Sequence, residues 1–313
     1  MNEFNASLSD IRKVLDHFKI DAIVTGNQDL CARRAAPLSE SSSETIAFSR
    51  SPDPLGVLEV RALAGIVIVG HLNAEAAEEV DNRADVLIVG CQHPEAIFYA
   101  VLLEVSKRAH DIGEFMPSPV TLELEHRQPN GSRIFIDNDV LLADNVRIGA
   151  FCSVRRCTIG EMSELQAGVR VGDDALGAVV GPNGEWIDRP HFAGVVIGRN
   201  VRIENNSVIQ AGFLNATTIS DNCRIGPLTW IGNGVSIGQG TLIGQSVTIA
   251  GSVTIGRNCR IWSNASIREA VTIGDGVTVG MGAAVVTDIP SNQVWFGNPA
   301  RKRLSITPTS PGE

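Results

Sequence analysis

The sequence predicts a mainly β protein: a parallel β-helix preceded by a small α/β domain. Twelve aliphatic residues recur every six positions from Ile219 to Val285, among them Ile225, Ile231, Ile249, Ile267 and Val279. Four positions after nearly every one stands a small or β-branched residue, such as Cys223, Thr229, Val235, Val253, Cys259 or Ala283. A six-residue period with Gly frequent in the second place marks a parallel β-helix. Composition agrees, because 31 glycines suit tight corners and 5% aromatics suit a narrow core.

The 313 residues are enough for two domains. Residues 7–18 read as a short amphipathic helix with Ser7 or Ser9 as N-cap. Apolar runs at 22–25, 46–48, 65–69 and 86–89 read as buried strands, and 94–107 has helical spacing. Strands alternating with helices predict an α/β domain over 1–116, ending at Met116-Pro-Ser-Pro, and a helix of hexads over 117–290. A tail of 291–313 follows.

The first coils, from Ile134, are irregular: Val140, Val146 or Ile148, Val154, then Ile159 after five residues. The stretch Asp173–Gly194 breaks the period and must loop out. Ile197, Ile203 and Ile209 resume it, but ten residues separate Ile209 from Ile219, which places a four-residue excursion at Ala211–Ala216. Stacked strands cannot absorb insertions, so these bulge outward and are the natural place for binding groups. Three hexads make one triangular coil, so the unbroken run forms about four coils stacked ~4.8 Å apart. The open ends of such a stack need caps, which the N-terminal domain and the tail after Pro290 can supply.

A net charge of −9 argues against a nucleic-acid partner, which needs a basic footprint. Small molecules and CoA-like ligands need only a local basic spot. The six cysteines form no CxxC pair, and Cys223 and Cys259 fall on inward positions, as expected of a reduced, cytoplasmic protein. The N-terminus lacks a signal-peptide stretch, and no segment reaches the ~20 apolar residues of an integral membrane span.

Hexad prisms of this kind resemble a large family of acyltransferases, whose prisms are left-handed. A subset, the γ-class carbonic anhydrases, holds a metal with three histidines. Here none of His17, His71, His93, His110, His126 and His191 falls in the unbroken run, so no metal site is expected. The order of parts is similar to the UDP-3-O-acylglucosamine N-acyltransferases of lipid A synthesis. Ile46-Ala-Phe48-Ser-Arg-Ser51-Pro resembles their uridine-holding strand and loop. Gly172-Asp-Asp-Ala-Leu-Gly177, Gly184-Glu-Trp186 and Pro190-His191 follow their loop motifs, and the ten-residue step before Ile219 is theirs too. The family's catalytic histidine falls on Asn233, in Ile231-Gly-Asn-Gly, and a second histidine on Ala270. Val285-Val-Thr-Asp-Ile-Pro290 and Gly297-Asn298-Pro-Ala-Arg301 instead resemble the endings of CoA-dependent sugar acetyltransferases. The lipid A family's helical extension for acyl carrier protein has no counterpart before Glu313.

The candidate catalytic residues are His191, Asp173, Asp174 and Asn233. An imidazole or a carboxylate can take a proton from an amine, whereas the Asn233 amide can only position a group; the bland readings are a loop histidine, a solvated turn and an Asn chosen for left-handed φ. Glu269, two coils from Asn233 on one face, is an alternative base. The candidate substrate-binding residues are Phe48, Ser51, Trp186 and Asn215, with Gln210 before it. Trp230 and Trp262 can stack on a ligand or pack between subunits. Asn298, Arg301, Lys302 and Arg303 are candidates to meet CoA phosphates, or form a merely basic tail.

Together these features imply transfer of an acyl group, acetyl from acetyl-CoA, to the amine of a nucleotide-linked amino sugar, with no permanently bound cofactor. The resemblance also implies a homotrimer with sites between prisms. The alternatives are a divergent lipid A N-acyltransferase using acyl carrier protein, and a non-catalytic binding protein on the same scaffold.

Overall fold

In a computed structural model, residues 6–36, 38, 41–49, 63–70, 74–81, 83–111, 133–137 and 139–303 are described. The chain divides into two compact units. The first comprises 1–120 with 176–190, the second 121–175 with 191–313.

The first unit is a five-stranded sheet in the order Ala22–Gly26, Val86–Cys91, Gly65–Val69, Thr45–Phe48, Arg34–Ala35. Only the first pairing is antiparallel. Strands Gly65–Val69 and Val86–Cys91 are buried along nearly their whole length, which is why they read as unbroken apolar runs. Helices α1 (Leu8–Phe18), α2 (Ala74–Asp81) and α3 (Pro94–Asp111) accompany the sheet. Ser7 is the N-cap of α1: the buried Asp10 carboxylate accepts both the Ser7 N–H and its hydroxyl at 2.9 Å. Phe48 ends its strand against Phe98 and Tyr99, with ring centroids 4.7 and 5.8 Å away. The period-breaking stretch contributes a hairpin here, Ala178–Val180 paired with Trp186–Asp188. Arg189 ties it to α3 by an ion pair with Glu95 at 2.9 Å.

The second unit is the expected parallel β-solenoid, with three walls of nine, eight and seven strands among the described residues. Its stacking fits the left-handed hexad prism. Each hexad places its first residue in a two-residue strand facing inward, so Ile219, Ile237, Ile255 and Ile273 form one column and Ile231, Ile249 and Ile267 another, each at most 2% exposed. The corner geometry is as regular as the core. From Asn222 to Gly282 every fourth hexad residue has positive φ, including Leu228 at 58° and Ala270 at 59°. That repeated left-handed residue turns the chain by one prism angle and explains the Gly and Asn content of the corners.

The inward fourth-after positions are more than small fillers. The Thr229 and Thr241 hydroxyls donate to the Gly244 and Gly256 carbonyls at 2.9 and 2.8 Å. The Cys223 and Cys259 thiols do the same to Gly238 and Gly274 at 3.3 and 3.1 Å. These side chains satisfy corner carbonyls that no strand reaches. The tail closes the stack. Val294–Phe296 adds in parallel to Thr278–Val279, Arg301–Lys302 folds back antiparallel, and Phe296 covers Gly280.

Candidate active site

One corner of the prism gathers the irregularities. It follows the strands Arg170–Asp173, Val208–Gln210, Trp230–Ile231, Thr248–Ile249 and Ser266–Ile267, which stack in the eight-stranded wall, in register but for a shift between Val171 and Asp173. Both insertions leave the solenoid at this corner, and Asn233 lies in it one coil below the second. Ten-residue spacing and hexad count therefore converge on one edge, because an insertion is tolerated only where the chain already turns.

Within the second unit the two insertions are bound together around His191. Its side chain is 2% exposed. Nε2 accepts the Ala175 N–H at 2.9 Å, and Nδ1 lies 3.4 Å from Asp174 Oδ1. The network assigns the ring proton to Nδ1, facing the carboxylate. The Phe213 ring of the excursion stacks on the imidazole at 4.2 Å between centroids. The Phe213 carbonyl accepts the N–H groups of Phe192 and Ala193 at 2.9 and 3.3 Å. Arg156 fastens the same cluster: its guanidinium donates to Gly172 O at 2.7 Å, to His191 O at 3.2 Å and to Asp174. Burial pushes the His191 pKa down to about 4; Asp174 pulls it up and Arg156 pushes it further down. The Nε2 lone pair that a general base would use is thus already engaged, in a neutral, closed-off ring. The expectation of His191 as base meets this physical obstacle.

Asp173 is held by Arg170 at 2.6 Å and faces Arg155 at 3.6 Å. Both aspartates are therefore paired with arginines and fix the loop's exit. Gln210 donates Nε2 to Asp174 O at 3.4 Å, leaving its buried Oε1 unpartnered.

Asn233 corrects the bland reading. The left-handed residue of its hexad is Gly234, at φ 64°, so Asn233 is not there for its backbone conformation. It is half-buried, and its amide has no hydrogen-bond partner among the described residues. The Gly234 N–H donates to Thr217 Oγ1 at 2.9 Å, which ties Asn233 to the end of the excursion. The carbonyl of exposed Asn215 comes close to Gly234 from the excursion side. Asn215 and Asn233 are thus brought to one place.

Asn298, Arg301, Lys302 and Arg303 are exposed at the C-terminal end of the prism. Asn298 precedes a cis proline, Arg301 donates to its own Ala300 carbonyl at 2.8 Å, and Arg303 lies 5.7 Å from the Phe296 ring centroid. Phe48 and Trp186 belong to the first unit, where Trp186 is 73% exposed on its hairpin. Ser51 lies outside the described residues. Among the described residues no cluster of His, Cys, Asp or Glu fits a metal ion. Burial raises the Cys157 thiol to about 12, so it offers no thiolate nucleophile. Sequence reasoning missed Arg156 and Phe213. The shortened step before Ile159 was the only sign of the first, and nothing marked the second.

Comparison with known proteins agrees with this architecture. A model described as bacterial transferase hexapeptide (six repeats) matches residues 252–286, and one for the hexapeptide repeat of succinyl-transferase matches 177–211 and 234–267. UDP-3-O-acylglucosamine N-acyltransferase 2 of Legionella pneumophila is 39% identical over 83 residues, 26% of this chain and 24% of the relative. The UDP-3-O-acylglucosamine N-acyltransferase of Caulobacter vibrioides is 43% identical over 155 residues, 50% of this chain and 45% of the relative. That of Coxiella burnetii is 25% identical over 238 residues, 69% of this chain and 67% of the relative. The chain spans less than half the length of the first two. The solenoid carries hexapeptide repeats, and the chain is similar over part of its length to these N-acyltransferases.

Proposed function

We propose that this hexapeptide-repeat protein transfers an acyl group from a CoA thioester to the amine of a nucleotide-linked amino sugar. The observation that carries the reading is the convergence of both insertions and the unpartnered Asn233 on one corner. There a ligand can meet polar groups that the fold itself does not use. In this reading the Asn233 amide positions the acceptor amine, Asn215 contributes from the excursion, and His191, Asp173 and Asp174 hold the loops that shape the site. Catalysis rests on orientation and on backbone N–H groups at the developing oxyanion.

Asn298, Arg301, Lys302 and Arg303 would meet the CoA phosphates. Arg301–Lys302 lies five strand steps along its wall from Arg224–Ile225, which shares a coil with Trp230–Ile231, so about 24 Å along the axis, and only a long ligand such as an extended CoA thioester would reach both places. Phe48, Ser51 and Trp186 would hold the nucleotide. The exposed Leu228, Trp230, Trp262 and Met281 on the prism are consistent with a homotrimer, in which such surface is covered. No described helix is long and apolar enough to cross a membrane. We take the protein to act in the cytoplasm, where CoA thioesters are available.

A second reading, a lipid A N-acyltransferase that takes its chain from acyl carrier protein, is favoured by the names of the relatives. A thermal-shift screen with acetyl-CoA, acyl carrier protein and several nucleotide sugars separates the two. A rise with acetyl-CoA and a nucleotide sugar supports the first reading. A rise with acyl carrier protein alone supports the second, and no rise with any of them leaves a scaffold without this chemistry.

A further inference from the structure

Below Asn233, the active corner carries a notch. Asn233, Gly251 and Glu269 hold the same place in successive coils, because Ile231, Ile249 and Ile267 pair in register. The corner backbone confirms the stacking: Ser252 N donates to Asn233 O at 2.9 Å, and Ala270 N donates to Gly251 O at 3.0 Å. Asn233 and Glu269 thus stand two coil steps apart, about 10 Å, with a notch in the column of side chains at the rung between them. A methyl group on Gly251 would lie 2.8 Å from Asn233 Oδ1, so the amide rests over Gly251 and glycine is what admits it there. The Asn233 amide and the Glu269 carboxylate have no partner among the described residues, and Glu269 is exposed.

We infer that this notch receives the amino group of the acceptor, with Glu269 as the catalytic residue that takes its proton. The inference rests on the function proposed above. A carboxylate and an amide oxygen on one corner, with glycine on the rung between them, suit an ammonium or amine rather than a hydroxyl or an anion. The amine nitrogen forms the new bond to the thioester carbonyl carbon and the carbon–sulfur bond breaks. The nitrogen's proton passes to Glu269 and from there to the departing CoA thiolate. No oxidant or metal is needed, and the role of the missing imidazole moves two coils along the same corner.

The test is calorimetric titration of the full chain, its Glu269→Gln variant and its Gly251→Ala variant with UDP-glucosamine, UDP-glucose and coenzyme A. The parent is expected to bind UDP-glucosamine about tenfold more tightly than UDP-glucose, the size of one charge-assisted contact. Both variants lose that preference and keep coenzyme A binding. If the preference persists in both variants, the notch is not the amine site, while the proposed transfer stands. If the parent binds coenzyme A but neither sugar nucleotide, or binds both sugars equally, this inference falls. If none of the three ligands binds the parent, the proposed function falls with it. Circular dichroism melts of both variants show whether they fold. If Gly251→Ala fails to fold, Glu269→Gln alone decides, since an exposed Glu→Gln change leaves the core untouched.

Discussion

The imidazole of His191 and the backbone N–H of Ala175 are joined by a 2.9 Å hydrogen bond in which Nε2 is the acceptor. The histidine therefore serves the fold as a neutral ring. The unfolded chain takes up a proton on it near 6.5, the folded chain only near 4. Above pH 6.5 both states are neutral and the difference contributes nothing. As pH falls from 6.5 toward 4, the unfolded state is increasingly favoured, by on the order of 3 kcal/mol in total. Urea unfolding at pH 7.5, 6.5 and 5.5 should show stability declining across this window. His191→Phe, which keeps a ring against Phe213, should flatten the decline; an unchanged slope would mean that the ring titrates freely.

Thr241 tests the interior hydroxyls. Its Oγ1 donates to Gly256 O at 2.8 Å and accepts the Cys259 N–H at 3.1 Å. Thr241→Val keeps the shape but strands a buried donor and a buried acceptor, at an expected cost of about 2 kcal/mol. Thr241→Ser keeps both bonds and should cost about half that or less. Equal losses in denaturant titrations would show that only the methyl group matters.

Ala270 sits at φ 59° where most other corners of the run use Gly or Asn. Ala270→Gly removes the clash of a Cβ with the left-handed backbone, against a smaller gain in unfolded-chain freedom. A net stabilisation of about 1 kcal/mol is expected. Gly276→Ala, at φ 66°, should destabilise by a similar amount. A melting temperature that moves the opposite way in either variant contradicts the strain argument.

Asn233→His probes the active corner directly. An imidazole there would titrate near its ordinary value of about 6.5 and can act as a base, an effect on the order of 10²-fold where geometry is good. Thiol release from acetyl-CoA in the presence of UDP-glucosamine should therefore rise by about tenfold or more, and gain a limb that climbs through pH 6.5. A variant whose profile matches the parent's would show that position 233 does not face the reacting amine.

Much of this was legible in the linear chain. The column from Ile219 to Val285 could be counted, and so could the two breaks, because a stack of two-residue strands tolerates only one register. The hexad count also put Asn233 and Glu269 on one face, two coils apart. What could not be counted was which atoms the loops would use. His191 read as an accessible base beside Pro190, whereas Phe213, Ala175, Asp174 and Arg156 enclose it. Asn233 read either as a positioning amide or as a corner Asn tolerant of left-handed φ, and only the structure shows that Gly234 takes that conformation while the amide has no partner among the described residues.

The division has a physical origin. A periodic core is a local property: each inward Ile or Val meets its equivalent one coil on, so spacing alone decided the prism, its corners and where insertions had to leave. The state of His191, the meeting of Asn215 with Asn233 and the notch at Gly251 depend on groups far apart in the chain. Hydrogen bonds and burial at such places are settled only when the coils are stacked, and there the tertiary structure alone decided.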